Sequence, residues 1–91
     1  MDIKHDEEKR QFYAETAGGK AILDYEREGN TLNFYHTFVP PELRGQGLAE
    51  QVTKAAFEYA QKNGLKVIPS CPYVARLVMK NDEWKRLVVF K

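Results

Sequence analysis

The chain has 91 residues, 43% of them hydrophobic, including five Tyr, five Phe and one Trp. That suits one domain over residues 1–91 with one modest core, and leaves no room for a second. A net charge of +1 with acids and bases interspersed excludes a nucleic-acid footprint, while one Cys and two His exclude an intrachain disulfide and supply too few ligands for structural zinc.

Residues 1–8 are rich in Asp, Glu and Lys and are expected to fray. Met1-Asp2-Ile3-Lys4 has no apolar stretch, and the longest apolar run, Leu87 to Phe90, is four residues. Neither a signal peptide nor a membrane span is expected, and the lone Cys fits a reducing compartment, so the expected location is cytoplasmic. Lys9 to Thr16 alternates around Phe12 and Ala14, and Ala17-Gly18-Gly19 supplies turn residues. Lys20 to Glu28 sets Ala21, Leu23 and Tyr25 on one face and Ile22, Asp24 and Glu26 on the other. Gly29-Asn30 is a two-residue hairpin signal. Leu32, Phe34, His36 and Phe38 then fall at every second position, which predicts a strand with all four on one buried face. Together these strands form an antiparallel meander.

Pro40 and Pro41 end the ladder, since neither has a backbone N–H. From Leu48 the period changes: Leu48, Val52, Ala55, Ala56, Tyr59 and Ala60 form the stripe of an amphipathic helix. Asn63-Gly64 stops it, with Gly64 suited to the left-handed position after the helix. Leu65 to Cys71 follows as a short strand, then Pro72 and a second helix over Tyr73 to Lys80. Asn81 to Trp84 reads as a turn, and Leu87 to Phe90 as an edge strand. The order strand, loop, helix, strand is a right-handed crossover, and the fold class is α/β (α+β).

Arg44, Gly45 and Gly47 sit where the strand has ended and the helix has not settled. Unpaired N–H groups and the positive end of the helix dipole converge there, and two glycines let an anion reach the backbone. A P-loop needs Lys and Ser or Thr after its last Gly, where this chain has Leu48-Ala49. A dinucleotide fingerprint needs a third small residue where this chain has Glu50. Either a tight strand-to-helix turn or a different phosphate cradle remains. Arg-x-x-Gly-x-Ala, met by Arg44, Gly47 and Ala49, is similar to the pyrophosphate loop of the GNAT superfamily of N-acetyltransferases. With "HTFVPPELRGQGLA" and "VIPSCPYV" in order around one helix, the chain resembles the small, single-domain, cysteine-containing (Yjdj-type) members over roughly residues 8 to 85.

The resemblance implies a minimal GNAT-like fold, in which two parallel strands splay apart and the pantetheine arm of acetyl-CoA lies in the gap. It implies transfer of an acetyl group from acetyl-CoA to an amine; the alternative is a CoA- or acyl-CoA-binding module without turnover. Phe38 and Val39 are then the expected backbone partners of the pantetheine, and Arg44, Gly45, Gln46, Gly47, Leu48 and Ala49 hold the pyrophosphate. Arg44 either contacts a phosphate or braces the loop. Cys71, just before Pro72, lies at a helix N-terminus that favours thiolate; it is either an acetyl acceptor or proton relay, or a small buried hydrophobe. Tyr73 is a candidate proton donor to the CoA sulfur, or a packing aromatic. His36 is a candidate base beside the amine, or a core histidine. Arg76 and Lys80 either reach the cofactor's 3′-phosphate or form a solvated helix face. His5 carries no case. The two helices that wall the acceptor site in larger GNAT domains have no counterpart, since Ala17-Gly18-Gly19 joins the strands directly. An open cleft and a large acceptor such as a protein lysine follow. Metal is not expected, and the chain is expected to be a monomer or weak dimer.

Overall fold

The computed structural model describes residues 2–89. Its centre is a five-stranded sheet in the order β1-β2-β3-β4-β5: Lys4–Asp6 (β1), Gln11–Thr16 (β2), Gly19–Glu28 (β3), Thr31–Phe38 (β4) and Lys66–Ile68 (β5). The first four strands are antiparallel neighbours, and β5 runs parallel to β4 after the crossover helix Leu48–Lys62 (α1). Pro72–Val78 (α2) and Asp82–Lys85 (α3) complete the layer of helices.

Alternation decides which face is buried. Phe12, Ala14, Ala21, Leu23, Tyr25, Leu32 and Phe34 point to one side and meet Leu48, Val52, Ala56, Phe57 and Ala60 of α1. Each large apolar side chain buried in this way stabilises the fold by about 1.5–3 kcal/mol. Gly64 (φ +67°) turns the chain out of α1, and Leu65 N–H reaches back to the Ala60 carbonyl at 2.8 Å, which closes the helix end. Rings link the two ends of the core: His5 stacks on Phe12, Tyr25 meets Phe34, Phe34 meets Phe57, and Phe57 stacks on Trp84 at 4.7 Å. Among the described residues the opposite face of the sheet carries no helix, and its side chains are exposed or half-buried.

Several expectations are corrected. Residues 4–6, expected to fray, pair with Gln11–Tyr13, because His5 gains a stacked ring and a hydrogen bond to the Tyr25 hydroxyl. Asn81 to Trp84 is a helix start and not a turn: the Asn81 carboxamide accepts from Trp84 N–H at 3.2 Å. The strand expected over Leu65 to Cys71 stops at Ile68, since Pro69 has no N–H to continue the ladder. The second helix begins at Pro72 and closes at Val78, short of Lys80. The tail makes one parallel bridge, Val88 to Val67, and Phe90 lies outside the described residues.

The largest correction is in β4. Asp24 pairs with His36 while Tyr25 pairs with Phe34, so Tyr35 is an extra residue, a β-bulge. Leu32 and Phe34 face the core as expected, but the bulge turns His36 and Phe38 to the uncovered face and brings Thr37 inward opposite Leu23.

Candidate functional site

β5 pairs with β4 only from Thr31 to Asn33. Beyond that the chain leaves the sheet: Cys71 N–H bonds the Phe34 carbonyl at 2.9 Å, and α2 departs from there. Among the described residues the edge of β4 from Tyr35 onward therefore has no strand beside it on that side. This is the expected splay, and a cleft of about 320 Å³ opens along it. Thr37, Phe38 and Val39 line it from β4 and its exit, Leu43, Arg44, Gly45 and Gly47 from the loop, Leu48 and Ala49 from α1, and Tyr73 from α2.

The loop is shaped by its prolines and glycines. Pro41–Leu43 makes one 3-10 turn that buries Leu43, and Gly18 packs so close that a Cβ there would stand 3.1 Å from Leu43 Cδ2. Gly45 (φ +83°) and Gly47 (φ +73°) take left-handed conformations that cost other residues about 1–2 kcal/mol, and a Cβ on either would enter open space. Gly47 caps α1 without a side chain, so the first turn of the helix keeps its N–H groups open. Among the described residues, no backbone acceptor takes the N–H groups of residues 45–50. Arg44 Nε donates to the Val39 carbonyl at 3.1 Å, which makes it a loop brace; the exposed rest of its guanidinium makes no further bond among the described residues.

Cys71 is buried at the start of α2 and does not line the cleft. Its Sγ lies 3.4 Å from Thr37 Oγ1. Burial pushes the thiol up, but the Thr37 hydroxyl and the nearby N–H groups of Val74 and Tyr73 outweigh it and hold the thiol below its ordinary value. Those two N–H groups face the sulfur without closing a capping bond of their own. Tyr73 moves the other way: burial raises its phenol, the Glu50 carboxylate and Cys71 add to the rise, and Arg76 opposes it. A phenol so held keeps its proton until a stronger base takes it.

The sequence-predicted residues are thus partly assembled. Phe38, Val39, Arg44, Gly45, Gly47, Leu48, Ala49 and Tyr73 share the cleft; Gln46, Cys71 and His36 do not line it. Arg76 lies on a neighbouring apolar cleft of about 290 Å³ with Leu77, Met79 and Lys80, joined to the first through Tyr73. His36 is neither a core residue nor a cleft residue: it stands on the uncovered face, with Nδ1 3.1 Å from Asp24 Oδ2. Thr37 and Leu43 also line the cleft, beyond the residues expected there. Leu43 had a signal, an apolar residue between two prolines and an arginine, whereas Thr37 comes inward only through the bulge.

With that geometry in place, a sequence profile described as GCN5-related N-acetyl-transferase matches residues 11–87. The chain belongs to the GCN5-related N-acetyltransferase family. Protein NATD1 of Xenopus tropicalis is 35% identical over 82 residues, which are 87% of this chain and 75% of that protein. Protein NATD1 of Danio rerio is 35% identical over 84 residues, covering 89% and 76%, and that of Homo sapiens 34% over 82, covering 87% and 73%. A GCN5-like protein from Staphylococcus aureus, solved by NMR in solution, matches with a TM-score of 0.76 at 30% identity, over 99% of this chain and 89% of that one. A GCN5-related N-acetyltransferase fold in its minimal form, an α+β sheet of five strands with the meander and crossover expected from the sequence and the splay implied by the resemblance, is what the chain adopts.

Proposed function

We propose that this chain is an acetyl-CoA-dependent N-acetyltransferase acting on an amine, with a protein lysine as the acceptor class that suits its open site. The observation that carries the reading is that one cleft joins a loop of unpartnered N–H groups to the unpaired edge of β4. Bound acetyl-CoA would supply the activated thioester; the rest falls to this chain's residues. The N–H groups from Gly45 to Ala49, with the α1 dipole behind them, suit a pyrophosphate, and glycine at 45 and 47 keeps the approach clear. The backbone of Phe38 and Val39 offers main-chain pairing to an extended amide-bearing arm, as an added strand would receive. Tyr73 stands at the cleft with a phenol that burial keeps protonated, suited to give its proton to a departing thiolate. A CoA- or acyl-CoA-binding module without turnover would use the same cleft; the placement of Cys71 outside its lining favours that second reading.

Calorimetric titration with acetyl-CoA and with CoA tests the cradle. Saturable one-to-one binding at micromolar affinity, about −8 kcal/mol, is expected, with loss in Gly47→Glu. Absence of binding at millimolar ligand, or unchanged affinity in a folded Gly47→Glu protein, overturns the site. Amine-dependent release of CoA then separates an enzyme from a binding module.

A further inference from the structure

The uncovered face of the sheet holds two cross-strand rows. In the first, Asp6, Gln11, Asp24 and His36 are register partners from β1 to β4. Gln11 Nε2 donates to Asp24 Oδ1 at 2.9 Å, and Asp24 Oδ2 lies 3.1 Å from His36 Nδ1. A carboxylate only accepts, so Nδ1 carries the proton and Nε2 presents its lone pair. That nitrogen has no partner among the described residues, on a side chain that is 52% exposed. In the second row Lys4, Tyr13, Ile22 and Phe38 are partners; Phe38 is 45% exposed and also borders the cleft. Among the described residues no helix packs here, so the charged groups sharing the face with His36 come from the sheet: Asp6, Asp24 and Glu26, Lys4 in the second row, and, farther along, Glu28, Glu15 and Lys20 over the Tyr13 ring.

We propose that the acceptor amine is delivered across this face and that His36 Nε2 takes its proton, with Asp24 and Gln11 as positioning residues that hold the imidazole in the accepting tautomer. This rests on the N-acetyltransferase reading. The acids beside His36 draw an ammonium, and the Tyr13–Ile22–Phe38 strip suits its alkyl stem. Thr37 and Phe38 are neighbours in β4, one inward and one outward. An amine on the outer face and an acyl donor in the cleft therefore approach one strand edge from two sides. The ammonium gives one proton to Nε2, which releases it to water. The freed lone pair forms the N–C bond, the C–S bond breaks, and the second N–H proton ends on the departing sulfur. The balance is ammonium plus thioester to amide, thiol and one proton.

The test measures transfer from acetyl-CoA to poly-L-lysine by wild type, His36→Gln, Asp24→Asn and Gln11→Leu between neutral and alkaline pH, with acetyl-CoA affinity as the control for folding. At pH 7 a loss of about 100-fold is expected for His36→Gln, the lower end for a removed general base, a tenfold or larger loss for Asp24→Asn, and a smaller one for Gln11→Leu. Affinity should be unchanged. Losses should shrink as pH approaches the lysine's own pKa near ~10.4, where the amine needs no base. A loss independent of pH, or His36→Gln and Asp24→Asn at wild-type rate, overturns the proposal alone. A wild type that binds acetyl-CoA and acetylates nothing overturns the enzyme reading and this proposal with it.

Discussion

Thr37 Oγ1 and Cys71 Sγ, 3.4 Å apart, join β4 to the start of α2 across the splay. The hydroxyl is the largest of the influences that lower the thiol against its burial. Thr37→Val keeps the shape and removes the donor, so the thiol should rise. The measurable result is an upward shift in the pH midpoint of Cys71 alkylation and severalfold slower reaction at neutral pH; an unmoved midpoint would show that the N–H groups of α2 suffice. Half of this pair was legible in the sequence. Cys-Pro announces a helix N-terminus beside a sulfur, whereas nothing in "HTF" shows that Thr37 is the side chain that turns to meet it. For His36 the reverse holds: its chemistry was legible and its address was not, because alternation without a bulge assigns it to the core.

At the scale of elements, the strands and helices that rest on period and punctuation were readable, and those that rest on a distant partner were not. The α1 stripe, the Gly29 hairpin and the Gly64 stop belong to their own segments. The strand β1 exists because Gln11–Tyr13 accepts it and because His5 finds Phe12 and Tyr25, contacts made only after the meander forms. The short α3 had a signal that a turn reading missed, an Asn followed by Asp82 and Glu83 in the first turn. Its cap is consequential because Trp84, one turn in, stacks on Phe57 of α1. Asn81→Ala should cost about 1 kcal/mol, seen as a melting temperature lower by about 4–8 °C in a domain this small. No change on melting would mean that Trp84 packing alone holds the helix.

Across the whole molecule, the ring contacts from His5 to Trp84 bind the start of the chain to its last helix through the core. His5 is the titrating member. Burial lowers its pKa from the ordinary 6.5, with Glu7 and Asp6 pulling the other way. The unfolded chain therefore binds the proton first, so the contribution of His5 is complete above pH 6.5 and is lost as pH falls from there through the folded value. Chemical denaturation of wild type and His5→Gln across about pH 5 to 7.5 should show a shallower acid loss in the variant; equal slopes would exclude His5 as the source. The architecture itself was legible, because a one-sided meander and a crossover are written in alternation and in proline and glycine; what the bare face holds was not. The bulge at Tyr35 has one more effect. It is a phase slip that splits one strand between two kinds of selection. Before it, the residues that face α1, Leu32 and Phe34, are judged by volume; after it, those that take over the outer face, His36 and Phe38, are judged by what they offer a visitor. A lineage can therefore retune the outward-facing His36 and Phe38 without reopening the question of whether the protein folds, while Thr37, turned inward between them, stays tied to Cys71.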